Sequence, residues 1–265
     1  MKRPVIVICV VLIACCGFAA CNYFAHADAA VNKSFEAPKE DTKPAIATPS
    51  EFKQSLEVIP LTVSQMEQSI LNAGLVDIKA VDSTIVVDLK YSTPDNFLCM
   101  DVYGDFDKCY LQPDVAQKLK LAQQYLKTEF PYYNLVVYDA ARPRSVQRIM
   151  WDTVEIPYAH RGKFLSSPGG GSLHNFGAAV DISIIDDSGF ELDMGTPYDY
   201  FGELAYPQAE SRMLMQGKLT HRQLFNREIL RSAMQKAGFG GIGTEWWHFN
   251  SCSRETAYQK YKIIE

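Results

Sequence analysis

The sequence has no basic patch interleaved with aromatics, and its formal net charge is -5 at pH 7. A phosphate-binding face needs clustered Lys and Arg, so nucleic acid is excluded as an expected partner. There is no CxxC pair, which removes the cysteine-based metal knuckles. No internal repeat occurs, and the stretch after the N-terminus is too poor in apolar residues to fold as an added module. What remains is ordinary for a globular chain of 265 residues, with 47% hydrophobic and 22% charged residues.

The N-terminus reads as a targeting segment. "MKR" is a positive n-region, and "PVIVICVVLIACCGFAA" is an apolar core at the short end for a spanning helix. "LIAC" ending at Cys15 and "FAAC" ending at Cys21 both resemble lipoprotein boxes, with the cysteine as lipid tether, whereas "AHA" before Asp28 resembles an ordinary cleavage site. The expected organisation is a signal peptide over 1–27, a flexible linker over 28–56 and a folded domain over 57–265. Export to the periplasm or cell envelope follows. Of seven cysteines, Cys9, Cys15, Cys16 and Cys21 fall in the leader and Cys99, Cys109 and Cys252 remain. Cys99 and Cys109, ten residues apart, are a candidate disulfide in an oxidising compartment.

The domain shows mixed elements. "TVSQMEQSILNAG" predicts a helix closed by Gly74, and "PDVAQKLKLAQQYLKTEF" a helix opened by Pro113 with Val115, Leu119, Ala122 and Leu126 facing a core. "SVQRIMWDTV" predicts a third helix and "THRQLFNREILRSAMQKAG" a fourth, from N-cap Thr220 to Gly238. "STIVVDLKY", "NLVVYDA", "AAVDISII" and the segment around "WWHFN" predict strands, with "FELDMG" returning as a hairpin partner. "PYAHRGKFLSSPGGGS" predicts a long loop of the functional kind. "GFGGIG" matches G-x-G-x-x-G but follows a helix and precedes a strand, so it is a stop and a turn.

Chemistry concentrates in three stretches. In "SLHNFGAAVDISI" His174 follows a glycine-rich loop and Asp181 interrupts an apolar run. A buried carboxylate costs several kcal/mol unless it is paired. Four histidines lie outside the leader, His160, His174, His221 and His248, and a lone histidine is more often structural than a ligand. Two imidazoles and a carboxylate with one open position, however, make a catalytic zinc site. In "TEWWH" Glu245 stands three before His248 and can shuttle a proton. Residues three apart on a strand face opposite sides, so Glu245 must precede the strand or a bulge must intervene. In "DAARPRS" Arg142 ends a strand before Pro143. It is equally a surface arginine or an oxyanion stabiliser, with Arg144 and Arg148 as its competitors.

Together these stretches resemble the zinc D-Ala-D-Ala peptidases, peptidase family M15. "SLHNFGAAVD" fits S-x-H-x-x-G-x-A-x-D and "EWWH" fits E-x-x-H. "YSTPDNF", "DAARPRSVQ" and "DMGTPYDYFGELA" are similar to the VanX-like D-alanyl-D-alanine dipeptidases. The resemblance spans 61–249. It implies an α+β fold in which a small antiparallel sheet carries one zinc ion and helices pack against it. It further implies His174, Asp181 and His248 as ligands, Glu245 as base, Arg142 as the arginine that steadies the transition state, and Ser172 as a substrate contact. The implied activity is hydrolysis of D-Ala-D-Ala or similar small D-containing dipeptides. The alternative is a D,D-carboxypeptidase or L,D-endopeptidase trimming peptidoglycan stems, and a non-catalytic zinc domain stands further off. Two departures concern the pocket: Ala140 and Ala141 stand where a bulky residue often precedes the arginine, and "YPQAES" lacks a histidine common after the "GELA" stretch.

Overall fold

The computed structural model describes residues 63–265 except 105 and 163; the expected leader, the whole of the expected linker and residues 57–62 of the expected domain lie outside the described residues. In chain order the elements are α1 (Val63–Asn72), β1 (Val76–Asp77), α2 (Ile78–Val81), β2 (Val86–Val87), β3 (Tyr110–Leu111), α3 (Pro113–Glu129), β4 (Asn134–Asp139), α4 (Arg144–Thr153) and α5 (Tyr158–Arg161). Then follow β5 (Ala179–Ile185), α6 (Glu210–Met215), α7 (His221–Lys236), β6 (Gly240–Gly241), β7 (His248–Asn250) and α8 (Arg254–Lys260).

A five-stranded sheet of order β2-β4-β5-β7-β6 forms the platform. It is antiparallel from β4 to β6, as expected, but β2 runs parallel to β4. A parallel pair needs a long crossover, and the chain makes it through α3. Val115, Leu119, Ala122 and Leu126 of α3 are buried as their spacing predicts. Gln123, also buried, accepts from the Leu135 N–H at 2.8 Å and so ties the helix to β4. α7 packs against α3 and starts where predicted. Thr220 Oγ1 accepts from the Gln223 N–H, and the Gln223 side chain reaches back to the Thr220 N–H.

Three expectations are corrected. The hairpin return at "FELDMG" shrinks to one bridge, Ile185 to Glu191, because α7 pulls the chain away. Asn226 Nδ2 bonds the Asp193 carbonyl and Arg227 Nε the Met194 carbonyl. The strand at "STIVVDLKY" keeps two residues, because Lys90–Ser92 turn as a short 3-10 helix that buries Tyr91. The Cys99–Cys109 disulfide is not formed. Cys109 is a free thiol in the core, while Cys99 is a free thiol on the surface. The intervening loop is instead closed by a chain of aromatic contacts, Tyr91 edge-on to Tyr103, Tyr103 edge-on to Phe106 and Phe106 stacked on Tyr110.

One glycine governs how the chain enters the sheet. Gly177 has φ +63°, and a Cβ there would lie 2.5 Å from Leu75 Cδ2. It reverses the chain from the turn at Leu173–Phe176 into β5. Gly177→Ala combines left-handed strain with a clash and is expected to cost about 2 to 5 kcal/mol. The measurement is urea unfolding: the midpoint should fall at constant slope, and an unchanged midpoint would contradict the assignment.

Candidate metal centre

β5 lies between β4 and β7, and its Asp181 is in register with Asp139 on one side and His248 on the other. Residues paired across antiparallel strands point to the same face, so Asp139, Asp181 and His248 form one row. His174 joins from outside the sheet, on the 3-10 turn Leu173–Phe176 capped by Ser172. His248 Nδ1 lies 3.0 Å from Asp181 Oδ1, His174 Nε2 lies 3.4 Å from the same oxygen, and the two ring nitrogens are 3.2 Å apart. One donor atom from each residue falls within a 4.8 Å cluster.

The outer nitrogens settle which atoms are free. His174 Nδ1–H donates to the Ala140 carbonyl at 2.8 Å, and His248 Nε2–H donates to Asn250 Oδ1 at 2.9 Å. The lone pairs of His174 Nε2 and His248 Nδ1 therefore face a common point beside a carboxylate oxygen. That donor set, two imidazoles and a carboxylate with the second ring nitrogens anchored, fits a divalent transition metal. It also gives buried Ala140 a purpose: its backbone carbonyl, packed close, orients the His174 ring.

Glu245 resolves the strand-parity objection by preceding β7. Its Oε2 is 3.8 Å from His248 Nδ1, and 30% of its side chain opens to the cavity. Arg142 is buried beyond the end of β4. Its Nε bonds Asp139 Oδ2 at 2.9 Å, its Nη2 bonds the same oxygen, and its Nη1 bonds Gln147 Oε1 at 2.9 Å. Nη2 also lies 3.7 Å from Asp181 Oδ2. The backbone locks this arrangement, since the Arg142 N–H donates to the His174 carbonyl and Asn175 Nδ2 donates to the Arg142 carbonyl. Ser172 lines the cavity and caps the turn.

All six expected residues thus meet in one place. Arg144 instead pairs with Glu265, and Arg148, His160 and His221 are exposed. Four residues of the site were not singled out from the sequence: Asp139, Tyr91, Tyr198 and Asp199. Tyr103 hydroxyl donates to Asp139 Oδ1 at 2.7 Å, Tyr198 hydroxyl to Asp181 Oδ2 at 3.0 Å and Tyr91 hydroxyl to Asp199 Oδ2 at 3.0 Å. The cavity holding Arg142, Asp199 and Glu245 has a volume of about 430 Å³. Its outer wall carries Phe97, Phe164 and Phe201, whose rings meet edge on at 5.0 Å.

Burial opposes the charge on Asp181, but His174 and His248 outweigh it and hold the carboxyl well below its usual range. Burial, aided by the charge of Asp181, pushes Asp199 well up. Burial also raises Glu245, against the pull of His248. For His248, burial works against protonation but Asp181 prevails, and the pKa rises to about 9.

A family model described as D-ala-D-ala dipeptidase matches residues 71–263. A D-alanyl-D-alanine dipeptidase of Escherichia coli (strain K12) is 30% identical over 181 residues, 66% of this chain and 83% of the relative. One from Synechocystis sp. is 29% identical over 177 residues, 56% of this chain and 72% of the relative. One from Enterococcus faecium is 27% identical over 177 residues, 61% and 83%.

A protonated His248 stabilises the metal-free fold. Its raised pKa means that this contribution is complete below the unfolded value of about 6.5 and is lost as pH rises through about 9. A ligating imidazole must be neutral. The melting temperature of chelator-treated protein should therefore fall between those two pH values, while metal-loaded protein shows no such fall. Parallel curves would count against His248 as a ligand.

Proposed function

The chain belongs to the D-ala-D-ala dipeptidase family of peptidases, and on that premise we propose that it is a single-zinc dipeptidase that cleaves D-Ala-D-Ala and similar small D-containing dipeptides. His174, Asp181 and His248 would hold the zinc. A zinc ion held there would supply Lewis acidity, which polarises a carbonyl and lowers the pKa of water toward about 7. Glu245, at the edge of the space where the three donors converge, takes the proton from the attacking water and delivers it to the leaving amine. Its raised pKa suits both tasks. Arg142, kept charged by Asp139, offers the guanidinium to the developing oxyanion.

The observation that carries the dipeptidase reading over stem-peptide trimming is Asp199. Its carboxylate is buried in the cavity with a tyrosine hydroxyl as partner, and burial raises it. A free ammonium would supply the missing positive charge. A dipeptide brings that group to within one residue of the scissile bond; a stem peptide buries the same position in an amide. A cavity of about 430 Å³ also suits a small ligand.

The test uses leaderless, zinc-loaded protein on D-Ala-D-Ala and on a stem pentapeptide ending in D-Ala-D-Ala. The free dipeptide alone should be cleaved, and Glu245→Ala should lower kcat by about 10²- to 10⁴-fold. Cleavage of the pentapeptide instead would move the protein to wall trimming, and full activity in Glu245→Ala would refute the base.

The leader, the tether at Cys15 or Cys21 and the linker before residue 57 are part of the same proposal. An exported enzyme would recover D-alanine from wall fragments outside the cytoplasm. Cell fractionation should find the mature protein in the envelope; a wholly cytoplasmic mature form would sink the idea.

A further inference from the structure

Among the described residues lining the cavity, two side chains carry a permanent positive charge, Arg142 and Arg254. Arg142 has three of its five N–H groups taken by Asp139 and Gln147, with the Tyr91 ring 5.1 Å below its guanidinium carbon, and what remains is assigned above to the oxyanion. Arg254 is different. It is the first residue of α8, and its Nη2 donates to the Gly171 carbonyl at 2.5 Å. Neither Nε nor Nη1 has an acceptor, and no carboxylate pairs with it, among the described residues. One turn later, Tyr258 hydroxyl donates to the Gly170 carbonyl at 3.1 Å. Residues four apart share a helix face, so α8 grips two successive carbonyls of the loop that leads to Ser172 and His174. The guanidinium is thereby fixed at the cavity wall with its remaining donors free.

A dipeptide is a zwitterion, and this inference rests on the dipeptidase reading. If Asp199 meets the ammonium and Arg142 the scissile carbonyl, the terminal carboxylate still needs a cation. Leaving it unpaired in a partly buried site is unfavourable, and a guanidinium fork matches a carboxylate in shape and charge. We propose that Arg254 binds the C-terminal carboxylate of the substrate and selects free acids over peptides blocked at that end.

The experiment measures zinc-loaded wild type, Arg254→Gln and Tyr258→Phe on D-Ala-D-Ala and on its C-terminal amide. Wild type should prefer the acid by about 10- to 100-fold in kcat/KM, the range for a hydrogen bond to a charged group. Arg254→Gln should raise KM for the acid by that factor, leave kcat nearly intact and leave the amide unaffected, so the preference collapses. Tyr258→Phe removes the neighbouring loop contact without touching the charge. It should change acid and amide alike. Equal losses on both substrates in Arg254→Gln would reduce Arg254 to a loop clip and overturn the inference, as would an unchanged KM for the acid. Wild type inert on both substrates would sink the dipeptidase reading itself, and this inference with it.

Discussion

Two buried carboxylates facing each other across neighbouring strands impose the constraint on which the site depends. Asp139 and Asp181 are paired in register at the middle of the sheet, and both are almost fully buried. Each must find positive charge or several hydrogen bonds to be tolerated there. Asp139 finds Arg142 and Tyr103. Asp181 finds His248, Tyr198 and the far side of the same guanidinium. Arg142 is thus a structural counter-ion before it is anything else. Its position is over-determined by its own backbone bonds to the turn that carries His174, so the charge-neutralising group and that turn are tied to each other.

The carboxyls around the cavity diverge in a way that divides the labour among them. Asp181, between two imidazoles, is pulled well down, while Glu245 and Asp199, for which burial and the negative charge of Asp181 act together, are pushed up. Groups of one chemical type driven apart by their environments are what acid–base chemistry at neutral pH requires. A permanently ionised carboxylate suits a ligand, and a carboxyl nearer its titration range suits a proton carrier.

Helices were more legible than strands. α3 and α7 start and stop within a residue or two of their sequence signals because Pro113, Thr220 and Gly238 act locally. β2 and β7 are only two and three residues long, since a strand ends where its partner leaves, and that is a tertiary fact. The site was legible where residue type and spacing coincide, as at His174, Asp181, Glu245 and His248. Asp139 carries the same signal as Asp181, a carboxylate closing an apolar run in "NLVVYDA", and could have been found by it. Asp199 could not. It reaches the cavity through a left-handed backbone, φ 59°, which "PYDY" does not announce. The disulfide expectation failed because sequence separation says nothing about which thiol a loop turns inward.

The spacing of seven between His174 and Asp181 also acquires a physical account. Asp181 and His248 are neighbours in one row, and two donors in a row would leave a metal open on one side. The third donor must come from above the sheet, so it cannot lie on β5 itself. The chain therefore presents His174 from a capped 3-10 turn, reverses at Gly177 through a conformation that strains any residue with a Cβ, and enters the sheet at Ala179. Two residues further along β5, with parity preserved, Asp181 points back to the same face as its entry. The small side chains of Ala178 and Ala179, both fully buried, let the turn lie close to the strand. A histidine, a glycine reversal, small residues and an aspartate in that order are the shortest path from a point above the sheet to a point on it, and the His248 row completes the third corner.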